Sequence, residues 1–364
     1  MMSLKVKRNL LRIIPFGIIW LIFGLVFFCL ELGFLGDSPI TPSTGDTYDP
    51  ELSFYVMACI VSPIFGLIIG AVEILFLSRF FKNNGLATKI LLKIGVYIFV
   101  FLIFNFIAGA IIYTSQFNTN IFDQRVWSQT FKLFSNFALW SGWIYASLIL
   151  TVCLFYSEIS DNIGHGVLVN FFTGKYHFPT QEERIFMFLD MKSSTTIAEQ
   201  LGHVKYFQLL KQFYSDFTDA IISHSGEVYQ YVGDEVVISW PTKSGLKNNN
   251  CISCFFAMKE VLLNNADLYK KEYGVVPTFK AGLHMGSVTT GEIGDLKKEI
   301  IFTGDSLNTT ARIQSLCNDF GVDLLLSDVL LQKLDLGESL KITSLGNKEL
   351  RGREQSVGLF AIAK

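Results

Sequence analysis

The chain has 364 residues, a formal net charge of −2 and only 17% charged residues, so no basic field marks it as a binder of nucleic acid. Half of its residues are hydrophobic and the mean hydropathy is +0.40, which excludes a chain that is soluble and globular throughout.

Four apolar runs come first, at roughly 13–34, 54–77, 90–113 and 133–156. Each is long enough to cross a bilayer, which takes about 20 residues. The first is too long for a cleavable leader, and three more follow it. Lys5, Lys7, Arg8 and Arg12 precede the first run, and Arg79, Lys82 and Lys89 follow the second. The loop between them carries Asp37, Asp46, Asp49 and Glu51 and neither Lys nor Arg. The positive-inside rule predicts a multi-pass protein of the cell membrane, with the N-terminus and everything after the fourth span in the cytoplasm. Glu31 and Glu73 fall in or near these spans, where acids are candidate functional groups. Glu31 sits near a span end, within reach of the interface. Glu73 lies deeper, where packing or sensing is the expected use. With no charge ladder or repeated polar face, the spans offer no transport pathway.

Residues 1–156 are therefore read as a four-span α-helical membrane domain. Residues 157–183, broken by Gly164, Gly166, Gly174 and Pro179, are read as a coupling linker. A third region, 184–364, alternates strand and helix patterns. A strand at 184–190 precedes a helix at 194–224 with Ile197, Leu201, Phe207, Leu210, Phe213, Phe217 and Ile221 on one face. A hairpin follows at 227–231 and 235–240 around Gly233-Asp234. Next come a helix at 249–272 and strands at 278–284, 287–292 and 299–302. The order predicts an α+β sheet with helices on one face. Cys251 and Cys254 form a lone C-x-x-C at the start of that second helix and read as reduced helix residues.

Two acids carry the chemistry. Asp190 ends the first strand and opens into the hydroxyl-rich Lys192-Ser193-Ser194-Thr195-Thr196, and Asp234 sits in the hairpin turn. Carboxylates at strand ends suit Mg²⁺, which binds through one or two carboxylates together with substrate phosphates. Backbone N–H groups at a helix start attract those phosphates.

These motifs, with Ala281-Gly-Leu-His-Met-Gly-Ser-Val-Thr-Thr-Gly291 and Gly304-Asp-Ser-Leu-Asn308-Thr-Thr-Ala-Arg312, resemble the class III nucleotidyl cyclases over about 184–362. The resemblance implies a ferredoxin-like α+β catalytic domain. It also implies cyclisation of a nucleoside triphosphate to a 3′,5′-cyclic monophosphate with release of pyrophosphate. Asp190, Asp234 and the Met191 carbonyl match the family's ligands for two Mg²⁺ ions, with Mn²⁺ as an alternative. Arg312 matches the transition-state arginine and Asn308 the ribose-orienting asparagine. Ser193, Ser194 and Thr195 fall where phosphates bind. Arg351 or Arg353 matches the basic position that contacts the terminal phosphates, and Arg353 is taken for it. The family builds each site between two subunits, one supplying the aspartates and the other Asn and Arg. A chain with both sets implies a homodimer with two sites. The base-reading pair, Lys with Asp or Thr in adenylate cyclases and Glu with Cys in guanylate cyclases, is here Gln230 and Ile301. ATP is the first expectation, because it is the family's commonest substrate. GTP or a pyrimidine triphosphate is the alternative, and a catalytically silent regulatory module is a further one. His284 and Asp305 read as structural, Asp305 as a helix cap.

Overall fold

The computed structural model describes residues 4–35, 56–81, 84–337, 340–350 and 356–364. Two compact units divide the chain, 6–169 and 170–364.

In the first unit, four helices are long and apolar enough to cross a membrane. They are α1 (Leu4–Leu35), a span built on α2 (Ser62–Val72) between π-helical segments Met57–Val61 and Glu73–Leu77, α3 (Leu86–Gln116) and α5 (Phe137–Ile163). Between the last two lies the short α4 (Gln124–Leu133), and the fourth long helix begins at Phe137 rather than at the expected residue 133. Asp123 caps α4 by accepting from the Arg125 backbone N–H at 2.8 Å. The acidic loop 36–55, Lys82 and the side chains of Glu31 and Arg79 lie outside the described residues.

Glu73 is buried and paired. Lys93 on α3 sits between it, at 2.5 Å, and Glu158 on α5, at 2.8 Å. Lys89 lies 3.3 Å from Glu158 on its other side, and Tyr97 donates to Glu73 at 3.4 Å. Arg12 on α1 pairs with Asp161 on α5. These partners account for the continuation of α5 to Ile163, through residues expected to be linker: Glu158 and Asp161 are polar, but each is held against a basic neighbour. Glu73 opens a π-helical segment, an irregularity that marks functional or strained sites in helices. After Gly164, which has φ +96°, a separate helix α6 (His165–Thr173) follows.

The second unit is an α+β domain with one eight-stranded mixed sheet. Its elements are β1 (Thr180–Met191), α7 (Ser194–Leu201), α8 (His203–Ser223), β2 (Glu227–Val232), β3 (Glu235–Pro241), α9 (Asn250–Asn264), α10 (Ala266–Tyr273), β4 (Phe279–Ile293), β5 (Glu299–Thr303), α11 (Asp305–Ser315), β6 (Leu324–Ser327), β7 (Lys341–Lys348) and β8 (Val357–Ala363). The sheet order is β2-β3-β1-β4-β6-β8-β7, with β5 paired to β4. β1 lies antiparallel to both β3 and β4, at the centre.

Three expectations are corrected. The helix expected over 194–224 is two helices, because Gly202 adopts φ +73° and breaks it. The break shifts the helical phase, so Phe207 is 69% exposed and Leu209 enters the core instead. The two strands expected around Gly286 are one continuous β4. Gly282 and Gly286 do not turn the chain: a Cβ at either would collide with α11, at Gln314 N and Ser306 Oγ respectively. They are flat spots on which the helix lies. Finally, helices cover both faces of the sheet. Ile185, Met187 and Leu189 of β1 pack with Phe213, Phe217 and Phe255 of α8 and α9. The alternate residues Phe186 and Phe188 pack with Leu307 and Ala311 of α11.

The buried trio in the membrane-type unit yields a test. Replacing Lys93 by Met leaves Glu73 and Glu158 buried without their shared cation. Removing one partner of a buried pair typically costs about 3–5 kcal/mol. The Lys93→Met protein should unfold at clearly lower denaturant in detergent; an unchanged midpoint would show that the trio contributes nothing to stability.

Candidate active site

The sheet register sets the site. Asp190, at the end of β1, lies opposite Glu235 of β3 on one side and Lys280 of β4 on the other. Asp234 occupies the β2–β3 turn, which Gly233 closes with φ +61°. Tyr214 of α8 holds that turn from behind, donating to the Gly233 carbonyl at 2.9 Å. Three acids thus crowd one end of three strands.

Burial, followed by the facing charge of Asp234, raises the Asp190 carboxyl above its ordinary range, and the Lys280 ammonium at 3.3 Å opposes the rise. Glu235 is pushed up to about 7 by burial and by the charges of Asp190 and Asp234. Gln314 of α11 donates from Nε2 to Asp190 Oδ2 at 3.1 Å. Spacing alone did not point to Glu235, Lys280 or Gln314. Glu235 was visible as the neighbour of Asp234, but the other two reach Asp190 only through sheet register and helix packing.

The helix start after Asp190 is open. Ser193 takes a left-handed conformation (φ 55°) at the N-cap of α7, and its hydroxyl makes no cap bond. Ser193 and Thr195 are exposed, and Ser194 is half-buried. Met191 closes β1 with its side chain in the core, so only its backbone could meet a ligand.

Asn308 and Arg312 sit one turn apart on α11, Asn308 exposed and Arg312 half-buried. The Arg312 Nη1 is buried and lacks a hydrogen-bond partner among the described residues. No hydrogen bond or ion pair joins Asn308 or Arg312 to Asp190 or Asp234 among the described residues. Asp305 is the first residue of α11 rather than its cap; the N-cap is Gly304, and Asp305 accepts from Thr309 Oγ1 at 3.2 Å. His284 is buried against Ser327 Oγ at 2.8 Å.

Gln230 is exposed beside a bulge in β2, and Ile301 is half-buried in β5 opposite Gly291. Their neighbours meet: the Tyr229 and Phe302 rings lie 4.8 Å apart, and the Phe302 N–H donates to the Tyr229 hydroxyl. Arg351 and Arg353 lie outside the described residues.

The residues suit a divalent cation. Two carboxylates supply hard oxygen donors, and the raised Asp190 and Glu235 reflect negative charge that Lys280 does not fully balance. Among the described residues no group of three or more His, Cys, Asp or Glu side chains forms a closed metal cage. An open pair is what a metal shared with phosphates requires.

Comparison with known proteins gives the family. The model of the adenylate and guanylate cyclase catalytic domain matches residues 178–363, just over half of the 364 residues. The chain belongs to this cyclase family. Adenylate cyclase 2 of Rhizobium meliloti (strain 1021) is 33% identical over 219 residues, 60% of this chain and 60% of its own length. Adenylate cyclase 1 of the same organism is 24% identical over 190 residues, 50% of this chain and 28% of that protein. The chain thus spans less than two thirds of either relative, 60% of the first and 28% of the second. The solved structure of a bacterial light-regulated adenylyl cyclase shares the cyclase fold, with a TM-score of 0.52 and 20% identity over 59% of this chain and 63% of that one.

The raised acids of this cyclase domain set a pH dependence. Glu235 holds its proton up to about pH 7 when folded but only to about 4.5 when unfolded. Its favourable contribution is therefore complete below about pH 4.5 and is lost as pH rises to about 7. In EDTA, the melting temperature should fall as pH rises through this window, and Glu235→Gln should flatten the fall. An identical slope in the variant would remove Glu235 as its source.

Proposed function

We propose that the chain is a membrane-anchored nucleotidyl cyclase that converts ATP to 3′,5′-cyclic AMP and pyrophosphate at sites shared between two copies. The observation that carries this reading is a division of labour. Asp190 and Asp234 face each other at the sheet end, while Asn308 and Arg312 stand on α11 with Arg312 Nη1, among the described residues, unpartnered and unbonded to either aspartate. A second copy of the chain, related by twofold symmetry, would bring one set to the other.

Asp190, Asp234 and the Met191 carbonyl would hold two Mg²⁺ or Mn²⁺ ions, which when bound lower the pKa of the ribose 3′-hydroxyl and stabilise the leaving phosphate oxygens. The protein residues do the rest. Arg312 is a fixed guanidinium for the charge that grows on the α-phosphate oxygens, where preorganised donors are worth most. Asn308 orients the ribose. Ser193, Ser194 and Thr195, with the open N–H groups at the start of α7, hold phosphate oxygens. Arg353 is the residue proposed for the terminal phosphates. The four apolar helices anchor the chain in the lipid bilayer of the cell membrane, with the N-terminus and catalytic unit in the cytoplasm, as the basic loops favour.

Shared sites have a direct test. Asp190→Ala and Arg312→Ala should each lose about 10²–10³-fold in rate, the typical effect of removing an electrostatic stabiliser. Co-expressed, they should regain activity, because one interface of the mixed dimer is complete. Mixed dimers as inactive as their parents would overturn the composite site.

Base selection admits a second reading. Gln230 and Ile301 stand where the family reads the base, and neither carries charge. An amide offers both donor and acceptor, so it can meet adenine or, flipped, guanine. GTP or a pyrimidine triphosphate is therefore the alternative substrate. Gln230→Lys with Ile301→Asp should sharpen preference for ATP about ten- to a hundredfold, since a good paired contact is worth roughly 1–3 kcal/mol of discrimination. The measurement is kcat/KM for all four triphosphates, with the products identified by mass. An unchanged ranking in an active double variant would place base reading elsewhere.

A further inference from the structure

Two donors from separate elements meet one oxygen of the Asp190 carboxylate. Gln314 Nε2 donates to Oδ2 at 3.1 Å, and Lys280 Nζ lies 3.3 Å from that same oxygen. The Asp234 carboxyl is the other neighbour of Asp190, within side-chain hydrogen-bonding reach. Two donors on Oδ2 restrain the Asp190 carboxylate and are not spent on Oδ1.

Gln314 is itself held firmly. It is buried, at 6% exposure. Its backbone N rests against Gly282 so closely that a Cβ there would collide with it. Four residues along β4, Gly286 gives Ser306 the same close approach, and Ser306 Oγ donates to the Ser287 carbonyl at 3.0 Å. Two glycine contacts, one near each end of α11, set the helix on β4. The amide of Gln314 is thus delivered to Asp190 by backbone packing rather than by a flexible side chain reaching from solvent.

We propose that Gln314 is a positioning residue for the metal site: it turns Asp190 so that Oδ1 is presented to the cation. The proposal rests on the reading of Asp190 and Asp234 as metal ligands. Groups that orient metal ligands in this way are worth about 10–100-fold in metal affinity. Because Gln314 shares α11 with Asn308 and Arg312, one rigid helix carries the nucleotide-facing pair of one composite site and the support for the metal carboxylate of the other.

The test uses the full chain in detergent and Mn²⁺ alone as the probe, with free Mn²⁺ followed by electron paramagnetic resonance. Gln314→Met removes the donor and keeps an unbranched side chain of similar length. It should weaken Mn²⁺ binding about 10–100-fold, while the melting temperature in EDTA stays near that of the unaltered protein. Gln314→Leu serves if the Met variant does not fold. Arg312→Ala, on the same helix but away from Asp190 Oδ2, should leave the affinity for Mn²⁺ alone unchanged. A merely structural Gln314 would lower the melting temperature and leave Mn²⁺ affinity intact, and that result overturns the proposal. Equal weakening in Arg312→Ala also overturns it, by assigning the effect to the helix as a whole. Asp190→Ala separates the two levels. If it binds Mn²⁺ as tightly as the unaltered protein, the metal reading fails and this proposal falls with it. If it loses Mn²⁺ while both Gln314 variants keep it, Gln314 alone is dismissed.

Discussion

Like charge held together at one sheet end is the constraint on which the catalytic unit depends. Asp190, Asp234 and Glu235 are brought together by the β1–β3 register and the β2–β3 turn, and no side-chain movement within that register separates them widely. Two unit charges about 4 Å apart interact by roughly 4 kcal/mol at the effective dielectric of a protein surface. The surrounding structure answers that repulsion at each point. Lys280 stands across the strand from Asp190, Gln314 donates to the same carboxylate, and Tyr214 ties down the turn. These supports order the acids without neutralising them, as the raised Glu235 and Asp190 indicate. An acidic cluster kept ordered and undercompensated is complementary to a cation, which is the use proposed for it.

The short apolar runs of β1 and β3, the Gly233-Asp234 turn and the Asn308–Arg312 spacing are short-range signals, and each was legible in the sequence. The α+β class followed from them, and the four apolar helices from the length of the hydrophobic runs in the first half of the chain. Less legible was anything decided by partners far away in the chain. Gly286 looked like a turn because glycine permits one, yet its use is to admit Ser306. Phe207 fitted the apolar face of one long helix, and only the left-handed Gly202 rotates it into solvent. Lys280 and Gln314 meet Asp190 across 90 and 124 residues of chain, and neither sits at a spacing that points to it. The strands β6, β7 and β8 were not assigned in advance; β6, Leu324–Ser327, has only four residues, too few for a period to show.

The unit of four apolar helices obeys the same electrostatic logic. Glu73 was singled out as an acid within a span, and its partners explain how the span tolerates it. Glu73, Lys93, Glu158 and Lys89 sum to no net charge, and Tyr97 adds a donor. Replacing a buried ionic group by apolar side chains is often neutral or favourable, so such a group is weak evidence for stability as such. Its better-attested use is register. Apolar helices in hydrocarbon slide and rotate at low cost, because lipid tails are as apolar as leucine. A cation on α3 between two acids on neighbouring spans fixes the axial positions of all three.

That fixed register bears on the shared-site reading. A composite site is incomplete in one copy, so its occupancy depends on how often two copies meet. If both copies are anchored in a bilayer, as proposed, the second encounter becomes nearly intramolecular, since short tethers raise effective concentration to about the millimolar range. A pairing surface of modest affinity is then sufficient. Among the described residues Arg312 Nη1 has no partner and the aspartates are short of counter-charge, and on the proposed reading each deficit is complementary to what a second copy and a metal–triphosphate would bring. Filling either deficit within one chain would stabilise the isolated unit and remove the reason for it to pair.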